Sequence, residues 1–270
     1  MSSLYRLIFL LTVFALLAWS AAAVEPAPAL TAKDLAAKLS AVQQDGSSYV
    51  RLTLEVKPPP GTPKVVLQLQ IKQRRTATTT DVVYQVLWPK ARAGEAVLLR
   101  QTASQPASGV LFIPPNSLRA LTAPQLKEPL LGGDLSYADV LENFFAWQHQ
   151  AVIGSEVVDR VTCQILESKP GPGQRSSYAR VRTWVDLRRM VPMRVEKYLP
   201  SGTLARRIDT TRVITDDRQR QIPANLTVSG ARAGSITELD GSRLKHGVNY
   251  GEGVFTPAGL QDLTTPRPAP

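Results

Sequence analysis

Gly132-Gly133-Asp134-Leu135-Ser136-Tyr137-Ala138-Asp139 separates two runs of different character and decides how they join. Before it lies an apolar strand pattern that ends in Ile113-Pro114-Pro115. After it, Leu141, Phe144 and Phe145 recur at helical spacing. Ser136 fits a helix cap with Asp139 three residues on, so the pattern predicts an amphipathic helix from Ser136 to Trp147.

Outward from this stretch the period is two. Val50, Leu52, Leu54 and Val56 alternate with Arg51, Thr53 and Glu55. After the Pro58-Pro59-Pro60-Gly61 turn, Val65, Leu67, Leu69 and Ile71 do the same, then Val82, Tyr84, Val86 and Trp88. Further strands are expected near Glu95 to Gln101 and Gly109 to Ile113. Asn116 to Leu131 reads as irregular, with a helical turn around Pro124 to Lys127. Downstream, Gly154 to Arg160 reads as a hairpin. Val181, Thr183, Val185 and Leu187 share one face, and Val191, Met193, Val195 and Leu199 repeat it opposite Arg194, Glu196 and Tyr198. Strands at Thr203 to Thr215, Gln221 to Val228 and Ile236 to Leu239 come next, the last ended by Asp240-Gly241. Phe255-Thr256-Pro257 predicts a short closing helix.

Roughly ten strands with one apolar face and few helices between them imply a mainly β, α+β fold. The fold class is a single curved antiparallel sheet forming an open half-barrel. Its apolar concave face must be covered, and two helices are available: the one at Ser136, and one from about Ala32 to Gln44 that Thr31 and Asp34 cap.

Arg6, the apolar run Leu7 to Leu17 and Ser20-Ala21-Ala22-Ala23 read as a signal peptide over residues 1–23, cleaved after Ala23. The apolar run is short for a membrane span of about 20 residues. Residues 24–263 then form one domain, and the Pro-rich tail 264–270 is expected to be disordered. Of the net charge of +10, the segment Gln174 to Arg220 supplies +7, from twelve Lys/Arg against five Asp/Glu. Export argues against nucleic acid as the partner. An anionic membrane surface, an acidic protein or a merely solvated face all remain open.

Chemistry-bearing groups are sparse. Cys163 is the only cysteine and His149 and His246 the only histidines, so neither a catalytic triad nor a metal cluster can be assembled on sequence grounds. Asp216-Asp217 reads as a hairpin turn, and Gly171-Pro172-Gly173 lacks a following Walker lysine. Asp139 and Glu142 read as a solvated helix face. No enzyme, no cofactor and no metal are expected.

The Gly-Asp-Leu-Ser-Tyr segment, the hairpin after it and the strand pairs around Tyr178 to Trp184 and Met193 to Tyr198 resemble the LolA-like outer-membrane lipoprotein-sorting family, over roughly residues 95–263. The resemblance implies a periplasmic half-barrel that holds acyl chains under a helical lid and catalyses nothing. It implies a lining of Leu52, Leu54, Leu67, Leu69, Tyr84, Val86, Trp88, Val181, Val185, Met193 and Val195, and a lid of Leu141, Phe144 and Phe145. Arg188, Arg189 and Arg194 are the candidates for docking headgroups or a partner. The partners implied are lipid or lipoprotein acyl chains, an inner-membrane exporter or an outer-membrane acceptor, with the protein itself a monomer. The alternative is a non-enzymatic envelope sensor or scaffold on the same fold, acting through protein contacts. One departure is local: the hairpin turn usually carries Asp-Gly, and here Asp159 is followed by Arg160.

Overall fold

The computed structural model describes residues 30–102, 105–230 and 234–262. The predicted signal peptide and the Pro-rich tail lie outside the described residues. One α-helix, α1 (Ala32–Gln43), is capped as its sequence predicts, Thr31 accepting from the Asp34 amide. Leu35, Ala36 and Leu39 face inward from it.

Among the described residues thirteen antiparallel strands come after it, in two meanders. The first is β1 (Gly46–Lys57), β2 (Val65–Arg75), β3 (Thr79–Trp88), β4 (Ala96–Thr102), β5 (Ser108–Ile113) and β6 (Ser117–Leu121). The second is β7 (His149–Val158), β8 (Val161–Lys169), β9 (Arg180–Asp186), β10 (Val191–Tyr198), β11 (Leu204–Thr215), β12 (Gln221–Ser229) and β13 (Ile236–His246). β13 pairs with β1, so the sheet is one open curved half-barrel with β6 and β7 at its two edges. Leu121 and His149 therefore lie at opposite edges, and the chain between them must cross the whole sheet.

Cross-strand register shows why the concave face is apolar. Val56, Thr237, Val228, Ile208, Val195, Thr183, Leu166 and Val152 are successive partners across eight strands. In the first meander Leu54, Leu67, Leu69, Val86 and Leu99 form one buried cluster. Each such side chain contributes about 1.5–3 kcal/mol through burial. The crossover supplies the other wall of that cluster, through Leu126, Leu130, Leu131, Tyr137 and Leu141. The convex face of β3–β5 is covered separately: Val83, Leu98 and Phe112 pack on Phe255 and Leu260 of two 3-10 helices, Glu252–Phe255 and Ala258–Gln261. There a chain of side chains, Tyr49 to Gln70 to Gln85 to the Leu260 carbonyl, satisfies the buried polar groups at 3.0, 2.7 and 2.9 Å.

Three expectations are corrected. No α-helix forms from Ser136 to Trp147; the segment is a succession of turns with a single 3-10 turn, Phe144–Ala146. The cap itself is present, since Ser136 and Asp139 exchange backbone-to-side-chain bonds at 2.8 and 3.1 Å, but tertiary bonds take the Asp139 carboxylate and the helix does not propagate. β6 lies in the region read as irregular: it is an outermost strand, exposed or half-exposed along its length, and so lacks an alternating signal. β13 continues through Asp240-Gly241 to His246, because Gly241 lets the Ala224 carbonyl approach to 2.9 Å of where a Cβ would stand.

Candidate ligand cavity beneath a crossover lid

Most of the predicted lining residues share the concave face. Leu54, Leu67, Leu69 and Val86 are buried in the main cluster with Leu141, and Leu52 and Tyr84 are half-buried against it. Burial pushes the Tyr84 phenol up to about 12, partly offset by the Arg75 guanidinium. Val181, Val185 and Val195 are buried too, and Thr183, which lies between Val181 and Val185 in β9, pairs with Val195.

Two lining assignments fail, both through a shift of register. Pairing in β2–β3 slips between Gln68 and Leu69, which puts Trp88 opposite Gln68 and leaves it 49% exposed. A bulge between Pro192 and Arg194 gives β10 one extra residue. Met193 therefore packs with Trp184, Cys163 and Val191 on the opposite face from Val195.

The lid is the crossover itself. Phe144 and Phe145 are buried with ring centroids 4.4 Å apart. The segment carries little regular structure, so side chains from the sheet and α1 hold it. Asp134 receives bonds from Ser235 at 3.0 Å and Thr237 at 2.7 Å, and its amide donates to Thr237 at 2.8 Å. Asn143 donates to Ser40 of α1 at 2.9 Å, and Arg75 to the Val140 carbonyl at 2.7 Å. Gln150 donates to the carbonyls of Phe144 and Trp147 and accepts from Ser168.

The strongest anchor is a buried ion pair that periodicity alone does not predict. Lys197, 1% exposed, lies 2.8 Å from Asp139 and 3.3 Å from Glu142. Tyr178 donates to Asp139 at 2.7 Å, and Arg206 stands 3.6 Å away. Asp139 is thus no part of a solvated face. Burial alone would raise its pKa, but the Lys197 ammonium and the bonds from Lys197, Ser136 and Tyr178 outweigh that and hold it at about 2. Burial opposes the Lys197 charge, and Asp139 with Glu142 more than restores it, raising its pKa. The phenol of Tyr178 is pushed up by burial and by Asp139. A sequence signal existed: Lys197 falls two residues after Val195, on the apolar face.

Most arginines of the segment from Gln174 to Arg220 have carboxylate partners, several of them outside it. Arg189 pairs with Asp186, and Arg194 pairs with Asp209 at 2.8 Å while lying over Trp184. Arg188 is exposed. Arg182, Arg207, Arg212, Arg218 and Arg220 also have carboxylate partners. Asp216, Asp217 and His246 bring three potential metal ligands within 4.8 Å. The other His246 nitrogen faces Arg220 at 3.0 Å, and Arg220 also bonds Asp216, so this cluster already contains its cation. A cleft of about 390 Å³ separates α1 (Ala37, Ala41) from Phe145 and Trp147 of the lid.

An open antiparallel half-barrel whose crossover forms a lid on its concave face is the LolA-like fold. A family model described as "Uncharacterized protein" matches residues 78–262, and the chain belongs to that family. No curated protein matches the chain. Among solved structures, a DUF1329 family protein from Desulfovibrio piger ATCC 29098 is similar, with a TM-score of 0.77 and 20% identity over 85% of this chain and 98% of that one. A domain described as a putative outer membrane lipoprotein-sorting protein from Vibrio parahaemolyticus gives 0.73 and 17% over 84% and 97%. A LolA superfamily protein from Nitrosomonas europaea gives 0.66 and 20% over 84% and 98%.

Proposed function

We propose that this protein is a non-enzymatic periplasmic carrier that holds the acyl chains of a lipid or lipoprotein between the concave face and the lid. The observation that carries the reading is the lid's construction. A continuous aliphatic face is covered by a crossover without an α-helix, fixed at a few polar points rather than by a strand ladder. An acyl chain gains about 0.8 kcal/mol per buried methylene, so a long chain can replace the contacts of Leu141, Phe144 and Phe145 as they lift. Lys197, Asp139 and Glu142, which together form a latch, sit beside that lining, so the lid can yield as a unit and return to one position. The signal-peptide reading of residues 1–23 supports export, and an inner-membrane donor and an outer-membrane acceptor are the partners such a route requires. The names borne by the Vibrio and Nitrosomonas structures agree with this reading at the level of fold.

The test is native mass spectrometry of the protein recovered from a periplasmic fraction without detergent, followed by lipid extraction. A lipid near one per chain is expected. An apo mass that persists after incubation with lipids and acylated peptides would turn the assignment to a scaffold acting through protein contacts.

A further inference from the structure

A second cleft, of about 540 Å³, lies at the end of β8 and β9 away from the Lys197 latch. Ser155, Thr162, Gln164, Leu187, Arg160 and Arg188 are among the residues that line it. Register puts Ser155 and Gln164 in one row with Val185, a residue of the concave lining, so the cleft adjoins the site where an acyl chain would lie.

Most arginines of this half are paired, and two that are not lie at this cleft. Arg189, Arg194, Arg207 and Arg220 all have carboxylate partners. Among the described residues neither Arg160 nor Arg188 has an ion-pair partner, and both are exposed. The carboxylate lining the cleft, Asp186, is occupied by Arg189 and by the backbone amides of Arg188 and Arg189. Gln164, which lines the cleft, carries a side-chain oxygen that has no hydrogen-bond partner. Arg160 also holds a strained position. Asp159 and Arg160 form the two-residue turn between β7 and β8 with φ of 48° and 64°, a conformation that favours glycine at the second place. An arginine there is costly to the turn and puts a guanidinium at the rim.

The geometry points to this cleft as a headgroup site for a phosphate ester that carries a neighbouring hydroxyl or ammonium: the phosphate on Arg160 and Arg188, the donor on the Gln164 oxygen. The inference rests on the carrier reading and names its cargo as a phospholipid.

Calorimetric titration with three soluble probes tests it: dihexanoyl phosphatidylglycerol, dihexanoylglycerol and glycerol phosphate. A charge-assisted bond contributes roughly a factor of ten per arginine, so the phospholipid should bind on the order of a hundredfold more tightly than the uncharged glyceride. In the Arg160→Gly/Arg188→Gln double variant that ratio should fall to near one. Arg160→Gly relieves the turn, so the single variant should melt no lower than the parent and still lose about tenfold in the ratio. Equal affinity of the parent for phospholipid and glyceride would overturn the headgroup site and leave the carrier reading standing. Failure of both acyl probes to bind would overturn both. Glycerol phosphate binding as tightly as the phospholipid would overturn the lipid assignment and make a free phosphate ester the ligand.

Discussion

Lys197 and Asp139 show how single residues position the lid. Each is buried, and each is the other's nearest opposite charge. Lys197→Met leaves the carboxylate buried beside Tyr178 with only Arg206, 3.6 Å away, as a cation, and should lower stability by about 3 kcal/mol in urea titrations. Lys197→Met/Asp139→Leu removes both charges and should recover most of that loss. The pH dependence has a definite sign. Asp139 is held at about 2 against an ordinary 3.8, so its contribution is complete above that ordinary value and is lost as pH falls through 2. Denaturation midpoints should drop over that window, and Asp139→Asn should flatten the drop. Asp139 was legible in the sequence only as the capping partner of Ser136, and was otherwise read as solvated. Lys197 lies 58 residues away, and only its misplacement on an apolar face betrays it.

At the scale of elements, most strands and the lid's residues were legible, and the lid's conformation was not. The period of two in β1, β2, β3 and β9 comes from the pleat, so burial of one face writes itself into the sequence. Bulges leave no such trace. One extra residue at Met193 reverses the parity of the strand on either side of it, so Val195 lies on the face its spacing predicts and Met193 does not. Leu141, Phe144 and Phe145 have helical spacing, yet the crossover must reach from β6 to β7 and meet fixed partners on β10 and β13. That geometry overrides the local pattern. A segment held by side chains rather than a ladder should open locally. Amide exchange from Gly133 to Ala146 should be faster than in β1 or β2, and faster still when an acyl ligand displaces the lid. Protection of this segment equal to that of the central strands would argue against a lid that moves.

The described residues form an open sheet whose first and second meanders meet at β1–β13, with the crossover covering the concave side. The carrier reading makes access to the lining depend on the lid, and the seam between α1 and the lid offers a way to test it. Ser40 and Asn143 are within hydrogen-bond distance across that seam, and Cys163, the protein's own thiol, is buried on the opposite face. A Ser40→Cys/Asn143→Cys variant can be bridged by a short bis-methanethiosulfonate reagent that joins the two thiols through reducible disulfides, fixing the lid in its closed position. The decisive measurement is uptake of a fluorescent fatty acid by this variant, followed by its emission with and without reductant. Little uptake is expected while the pair is bridged, and full, rapid uptake once it is reduced. Equal uptake in both states would mean that acyl chains do not enter beneath the lid.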